Sequence, residues 1–136
     1  MLEGVKIINL PKINDPRGNL SFFENDSQIP FKIKRTYWIY DIPTCEIRGS
    51  HAFKESEELI IALSGSFDVV INDGKHEKKY RLNSPYNALY VPNKLWRRLD
   101  NFSSNSLALI VSSIFYNEND YIRDFNLFKK YINENN

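Results

Sequence analysis

A ten-residue stretch, Arg48–Glu57, carries the residues whose types and spacing could do chemistry. Within seven positions it holds Arg48, His51 and Lys54, so an imidazole lies between two cations. The unperturbed pKa of histidine is about 6.5, and on that basis His51 is expected to accept and return a proton near neutral pH. A neighbouring guanidinium or ammonium could stabilise an oxyanion that develops as a reaction proceeds. The stretch therefore predicts a site for proton transfer.

A second group of candidate residues lies on a predicted strand, 30–41, which is rich in β-branched and aromatic types. The alternation of a strand puts Arg35 and Tyr37 on one face and Trp38 on the other. If the first face lines the interior of the fold, a guanidinium and a phenol enter the site together. The alternative is that Tyr37 belongs to the core and Arg35 is a charge at the rim, and spacing alone leaves both open.

Composition limits the classes of function. The chain has 136 residues, of which 42% are hydrophobic and 14% aromatic, so we expect one folded domain over 1–136. A net charge of +1 argues against nucleic-acid binding through a broad basic field. The single Cys45 cannot form an intrachain disulfide, and the longest apolar run, around 107–111, is too short to cross a bilayer. We therefore expect a cytoplasmic protein with no membrane segment.

The elements that must position these residues are mostly short strands. Turn signals such as 15–19, which carries Arg17 at its tip, and 72–74 separate runs of β-forming residues. A polar cluster at 117–120 is followed by apolar residues at helical spacing over 121–131. The pattern predicts an all-β barrel or sandwich with one or two short helices at the C-terminal end.

The spacing of the central stretch resembles the first motif of the cupin superfamily, in which glycine precedes His-x-His and then glutamate and glycine follow. The motif positions are occupied here by Gly49, His51, Phe53, Glu57 and Gly65. Arg97 stands where these proteins place a further histidine on a later strand. A phenyl ring and a guanidinium cannot donate a lone pair to a divalent metal. The resemblance thus implies a double-stranded β-helix, the jelly-roll barrel of cupins, without the metal.

A narrower resemblance extends over most of the chain. Together, the fragments 15–18, 33–37, 48–52, 63–66 and 120–124 are similar to cupin-type sugar-nucleotide 3,4-ketoisomerases. Those enzymes convert a dTDP-4-keto-6-deoxyhexose into its 3-keto isomer for the synthesis of 3-amino-3,6-dideoxyhexoses of surface polysaccharides such as O-antigen. The resemblance implies a dTDP-sugar substrate, no cofactor, and a homodimer that exchanges N-terminal strands.

The residue types suit this reaction, which needs a base, an acid and a cation. His51 is the expected base, Tyr37 a candidate proton donor, and Arg48 or Lys54 the cation that stabilises an enediolate. Glu57 is expected to orient a neighbour such as His51. The remaining candidates would bind substrate: Arg17 and Arg35 at the diphosphate, Trp38 or Trp96 stacked on the thymine, and Arg97 at a position not further specified.

Two rival functions remain at this stage. A cupin 3,5-epimerase acts on the same 4-keto sugar and also uses a histidine beside a tyrosine. A non-catalytic sugar-nucleotide binder would explain the replacement of two histidines by Phe53 and Arg97. Within the ketoisomerase interpretation, a single histidine base would work on one face of the ring, which favours a galacto-configured product.

Overall fold

The computed structural model describes residues 2–135, which form twelve short strands, one 3₁₀ turn and one α-helix. The strands are β1 Lys6–Asn9, β2 Lys12–Ile13, β3 Leu20–Ser21, β4 Arg35–Ile39, β5 Arg48–Phe53, β6 Glu58–Ser64, β7 Phe67–Asn72, β8 Glu77–Leu82, β9 Asn87–Val91, β10 Trp96–Asp100, β11 Leu107–Ser112 and β12 Tyr121–Ile122. The 3₁₀ turn is Glu118–Asp120, and the helix α1 is Phe125–Glu134. Within the described residues, no helix is both long enough and apolar enough to cross a membrane.

The strands form two five-stranded antiparallel sheets and a separate ribbon. One sheet has the order β1-β9-β6-β11-β4, the other has the order β12-β5-β10-β7-β8, and the ribbon pairs β2 with β3. Alternate apolar side chains of the two sheets meet in the main core, which includes Ile60, Ala62, Phe67, Val69, Ile71, Leu89, Leu99 and Ile110. This arrangement confirms the predicted cupin-like jelly-roll fold.

Strand β6 is buried on both faces, which matters for the site at its start. Ile60 and Ala62 point into the main core. Leu59 and Ile61 point the other way, where Leu10 covers them. The period of two along a strand then puts Glu58 on the same face as Ile60, inside the fold.

The C-terminal tail contains the predicted helix, but the helix begins later than expected. Tyr121 and Ile122 form β12, which pairs with Phe53 and Ala52 of β5. The expectation of helix from Tyr121 was wrong because the edge of β5 offers these residues backbone partners. The helix begins at Phe125, after Asp124 caps it by accepting the backbone N–H of Leu127 at 3.0 Å.

Candidate active site

A cavity of about 380 Å³ opens at one end of the barrel, between β4, β5, β10 and the start of the tail. Its size suits a small polar ligand such as a sugar ring. Its lining is mostly polar and includes four arginines. The lining residues are Arg35, Tyr37, Trp38, Ile39, Arg48, Gly49, Ser50, His51, Arg97, Tyr121 and Arg123.

The imidazole of His51 is held by aromatic rings rather than by a carboxylate. Its ring centroid lies 4.8 Å from that of Phe53 and 5.0 Å from that of Tyr121, both in edge-on contacts. His51 is only 7% exposed, and its Nδ1 has no hydrogen-bond partner within residues 2–135. Phe53, which stands at a histidine position of the cupin motif, therefore packs against His51.

The same surroundings keep His51 neutral. Burial lowers its pKa to about 2, and the charges of Arg97, Arg123 and Arg35 lower it in the same direction. The expectation of a histidine that titrates near neutral pH is therefore wrong for the protein without substrate. The neutral imidazole keeps a lone pair on one ring nitrogen, and the same surroundings oppose its protonation as long as no anion is bound nearby.

Arg97 and Glu58 form a buried ion pair in the wall of the cavity. Oε1 of Glu58 accepts from Nε of Arg97 at 3.0 Å and from Nη2 at 2.7 Å. Arg97 also donates from Nη1 to the carbonyl oxygen of Gly49 at 3.1 Å. The guanidinium is thus held by three acceptors, because Nη2 also donates to the hydroxyl of Tyr37 at 3.0 Å.

Tyr37 completes this network. Its hydroxyl donates to Oε2 of Glu58 at 2.5 Å. Burial and the nearby Glu58 carboxylate raise the pKa of Tyr37 well above its usual range, although Arg97 acts in the opposite direction. Tyr37 is therefore a neutral phenol whose proton is directed at Glu58, away from any substrate in the cavity.

Gly49 is required by the close approach of Arg97 and by its own backbone. Its φ angle is +70°, in the left-handed region that favours glycine. A Cβ atom at this position would lie 2.0 Å from Nη1 of Arg97 and 3.8 Å from Nε2 of His51. The absence of a side chain thus leaves room for the guanidinium and leaves Nε2 beside the open volume.

The C-terminal tail supplies one side of the cavity. Asp120 is buried and accepts the backbone N–H groups of Glu55 at 2.7 Å and Ser56 at 3.1 Å. This attachment holds the next residue, Tyr121, against His51. The hydroxyl of Tyr121 accepts from Nη1 of Arg35 at 3.1 Å, which links β4 to the tail.

Comparison with known proteins places these features in a family. A family model described as "FdtA: WxcM-like, C-terminal" matches residues 3–133. The chain belongs to this family. It is 42% identical over 127 residues to a TDP-4-oxo-6-deoxy-alpha-D-glucose-3,4-oxoisomerase of Aneurinibacillus thermoaerophilus, and the match covers 93% of this chain and 91% of that protein.

Two solved structures of ketoisomerases are also similar to this FdtA-like chain. One is the WlaRB TDP-quinovose 3,4-ketoisomerase from Campylobacter jejuni, with 41% identity, a TM-score of 0.90 and coverage of 95% of this chain and 99% of that one. The other is a histidine-to-asparagine mutant of the 3,4-ketoisomerase QdtA from Thermoanaerobacterium thermosaccharolyticum, in complex with TDP-4-keto-6-deoxyglucose. It shows 31% identity, a TM-score of 0.96 and coverage of 99% and 98%.

The FdtA-like cavity contains six of the nine site residues named from the sequence. They are Arg35, Tyr37, Trp38, Arg48, His51 and Arg97. Arg35 and Tyr37 do share an interior face, where the guanidinium of Arg35 stacks 4.4 Å from the centroid of the Tyr37 ring. Trp38 is exposed at the rim of the cavity.

The structure places the other three residues outside the cavity. Trp96 packs its indole against Phe125 and Phe128 of the helix, so it is not available for stacking on a base. The ammonium of Lys54 lies over the ring of Tyr131, 5.9 Å from its centroid. Arg17 is 90% exposed and pairs with Asp15 within its own turn, at 2.9 Å.

The prediction that Glu57 orients a neighbour such as His51 was wrong. Glu57 faces outward and accepts a hydrogen bond from the hydroxyl of Tyr90, so it does not orient His51. Glu58 is the carboxylate inside the barrel, and the alternation of apolar residues in β6 was the signal that could have identified it. Tyr121 and Arg123 were missed as well, because predicting a helix there removed them from the barrel wall.

The cavity of this FdtA-like protein does not fit the metal of other cupins. Of the motif residues, Phe53 has no donor atom and Glu57 faces outward to Tyr90, which leaves His51 in the cavity. The inward carboxylate, Glu58, is already bound by Arg97 and Tyr37. The guanidinium of Arg97 would repel a divalent cation. Across residues 2–135 there is no group of three or more His, Cys, Asp and Glu side chains that could hold a metal ion.

Proposed function

We propose that this protein is a metal-independent 3,4-ketoisomerase of dTDP-4-keto-6-deoxyglucose. The observation that carries the proposal is His51, a buried neutral base whose Nε2 borders a cavity that is lined by arginines. The names of the relatives support this reaction over 3,5-epimerisation. The product would serve the synthesis of a 3-amino-3,6-dideoxyhexose, for which the next reaction is amination of the 3-keto group.

The chemistry requires one proton to move between adjacent carbons. His51 takes the proton from C3, which is acidic because it lies α to the C4 carbonyl, and the electron pair of the C–H bond forms the C3–C4 double bond of an enediolate. The C4 carbonyl oxygen becomes the oxyanion. The proton of the C3 hydroxyl passes to the C4 oxyanion, so the negative charge moves to the oxygen on C3. The imidazolium then returns its proton to C4, where the electron pair of the C3–C4 double bond forms the new C–H bond, and the carbonyl forms at C3 while C4 keeps a hydroxyl.

Cations in the cavity stabilise the oxyanion. Of the two cations that the sequence suggested, Lys54 lies outside the cavity and Arg48 lines it. Arg97 is a second cation in the cavity, and hydrogen bonds already set the position of its guanidinium. Charge that develops only in the transition state is stabilised most by groups that need no reorganisation. Tyr37 acts by accepting a hydrogen bond from a substrate hydroxyl or by holding Arg97, rather than as the proton donor.

The dTDP group binds at the open side of the cavity. Arg35 and Arg123 line the cavity. Arg35 can donate hydrogen bonds to a diphosphate, and Arg123 can do so when the diphosphate replaces Glu118, to which its Nε and Nη2 donate. Trp38 is exposed at the rim and can stack on the thymine. These assignments separate the anchoring of the nucleotide from the proton transfer at the sugar.

The product follows from the face on which His51 works. In the gluco-configured substrate the C3 hydrogen lies on the lower face of the ring, and protonation of C4 from that face gives the galacto product. A gluco product needs a donor on the upper face. Phe53 cannot be that donor, and the proton of Tyr37 is directed at Glu58. We therefore propose a mainly galacto-configured 3-keto sugar.

The gluco product is the second candidate, and one observation favours it. WlaRB, which is 41% identical, is named for TDP-quinovose, and quinovose is 6-deoxyglucose. A water molecule in the cavity could deliver the second proton. Proton NMR of fresh product separates the two outcomes, because a small coupling between H4 and H5 indicates galacto and a large diaxial coupling indicates gluco.

The same NMR experiment tests the function itself. The purified protein is incubated with dTDP-4-keto-6-deoxyglucose in D₂O, and spectra are recorded over time. Formation of a 3-keto sugar supports the proposal. Inversion at C3 and C5 with the ketone still at C4 would identify an epimerase, and an unchanged substrate that nonetheless binds would identify a non-catalytic binder.

We also propose a cytoplasmic homodimer that exchanges N-terminal strands. In the chain described here β1 pairs with its own β9. The β2–β3 ribbon exposes Ile13 and Leu20, which suits a partner surface. An exchange of this ribbon would carry Arg17, at its tip, to another chain and so restore its place near a nucleotide. Light scattering at several protein concentrations tests the dimer.

A further inference from the structure

Glu57 and Glu58 are neighbours in sequence with opposite environments. Glu57 faces the outside of the barrel and accepts from Tyr90. Glu58 faces the cavity end of the core, and its side chain is 2% exposed. A carboxylate this deeply buried is costly unless cations or hydrogen-bond donors compensate it. The groups that compensate Glu58 are the two that form the cavity wall beside His51.

The contacts of Glu58 form a closed ring of three side chains. Oε1 accepts from Nε and Nη2 of Arg97, and Oε2 accepts from the hydroxyl of Tyr37. Arg97 closes the ring by donating from Nη2 to the hydroxyl of Tyr37. One carboxylate therefore sets the plane of the guanidinium and the direction of the phenolic proton at once.

From this geometry we propose that Glu58 is a positioning residue of the isomerase, which holds the Arg97 guanidinium and the Tyr37 hydroxyl in place beside His51 and balances the Arg97 charge there. The proposal rests on the proposed function. Glu58 has no contact with the open cavity, so it acts through its two partners and not on substrate.

Charge balance is the reason that the carboxylate matters for proton transfer. The groups facing His51 are Phe53 on its own strand, Tyr121 and Arg123 from the tail, Arg35 and Tyr37 from β4, and Arg97 from β10. Every charged group among them is an arginine, and each disfavours the imidazolium that forms when His51 accepts a proton. Glu58 is the buried anion that offsets the positive charge of Arg97, whose Nη1 donates to the carbonyl oxygen of Gly49 near Nε2 of His51.

The test uses three single variants of the full chain. Glu58→Gln removes the charge at nearly constant shape, Glu58→Asp keeps the charge but shortens the reach, and Glu57→Gln is the matched control on the opposite face. We expect kcat to fall about 100-fold for Glu58→Gln and about tenfold for Glu58→Asp, with KM and the Kd for TDP within about threefold of wild type. For Glu57→Gln we expect kcat within about twofold of wild type.

Calorimetric titration with TDP supplies the active fraction, so kcat refers to folded sites only. A kcat of Glu58→Gln close to wild type in folded protein overturns the proposal, as does an equal loss of kcat and TDP affinity. If Glu58→Gln fails to fold, Glu58→Asp is the deciding variant, and its full activity would exclude a positioning role. If neither variant folds, Glu58 contributes to stability only and the proposal is wrong. A wild-type protein that does not isomerise the substrate refutes the proposed function instead, which separates the two failures.

Discussion

The β7–β8 hairpin and the cavity wall contain the same types of residue in different surroundings. At the hairpin, His76 lies 3.6 Å from Asp73 and its side chain is 77% exposed. In the cavity wall His51 is buried between aromatic rings. The side chain of His76 is in contact with water, whereas the cavity strongly favours neutral His51. The two histidines therefore differ in their surroundings and not in residue type, because one is buried in the cavity wall and the other is exposed.

The arginine pairs of the two regions differ in the same way. Arg81 lies 3.3 Å from Asp68, and its side chain is 44% exposed, so water solvates and screens its charge. Arg97 and Glu58 are both 2% exposed. The charge of Arg97 is therefore confined to the cavity wall, where a low dielectric strengthens its effect on groups nearby. The comparison leads to four predictions.

The largest effect is expected for the two histidines. His51→Asn should lower turnover by about a thousandfold or more, because the amide cannot accept the C3 proton. TDP affinity should stay within about threefold of wild type, since the nucleotide is held by other side chains. Steady-state kinetics and calorimetry measure the two quantities.

His76→Asn is the matched control for that change. Its side chain lies in solvent and outside the cavity, so we expect wild-type kinetics. A parallel loss of binding and turnover in His51→Asn would show that His51 is structural. A measurable loss of turnover in His76→Asn would show that the hairpin also contributes to catalysis.

The second prediction concerns the stability of the two arginine pairs. Arg97→Gln leaves the buried Glu58 without its cation, and we expect the free energy of unfolding to fall by about 3–5 kcal/mol at neutral pH. Arg81→Gln should cost about 1 kcal/mol or less, because Lys79 and Asn101 still contact Asp68. Urea denaturation at pH 7 measures both. Equal losses would show that the buried pair has no special role in the wall.

Much of the fold could be predicted from the sequence, because it depends on local patterns. The alternation within β6 and β7, the turn signals between strands and the helical spacing of apolar residues in the tail each carry local information. The cap was predicted in the cluster 117–120, whereas Asp124 caps the helix. The resemblance to cupins then supplied the arrangement of the sheets. The start of the tail was predicted wrongly, because pairing of Tyr121 with Phe53 depends on a strand far away in the chain.

The site could be predicted only where a motif covered it. His51 and Arg97 occupy motif positions. Strand alternation put Arg35 and Tyr37 on one face but left open whether that face lies inside the fold. The environment that determines their chemistry could not be predicted, since it comes from residues distant in sequence. The low pKa of His51 depends on burial and on three arginines from other segments, and the partner of Arg97 depends on which glutamate faces inward.

The third prediction is a pH dependence of stability that His51 produces. Its pKa of about 2 in the folded protein is below the value of about 6.5 expected when unfolded, so between these values the unfolded state binds more protons. Stability should therefore fall as the pH decreases below 6.5, by up to about 1.4 kcal/mol for each pH unit from this residue alone. Urea denaturation between pH 7 and pH 5 measures the slope.

His51→Asn provides the control for the pH dependence, because asparagine does not titrate. The variant should therefore lose most of the slope of stability against pH between pH 6.5 and pH 5. A slope that survives in His51→Asn would assign the acid sensitivity to other groups.

The smallest expected effect is that of chelation. Treatment with EDTA should leave turnover of dTDP-4-keto-6-deoxyglucose unchanged, because the donor set cannot hold a divalent ion. Arg97 brings a positive charge to one ligand position, Phe53 brings a hydrocarbon to another, and Glu58 has both oxygens engaged. The cation of the reaction is then a guanidinium, which EDTA cannot remove. A preparation that loses turnover in EDTA and regains it with one divalent ion would contradict this prediction. It would show that the cavity wall rearranges to bind a metal, as an ordinary cupin site does, and that the Arg97 charge is not fixed there.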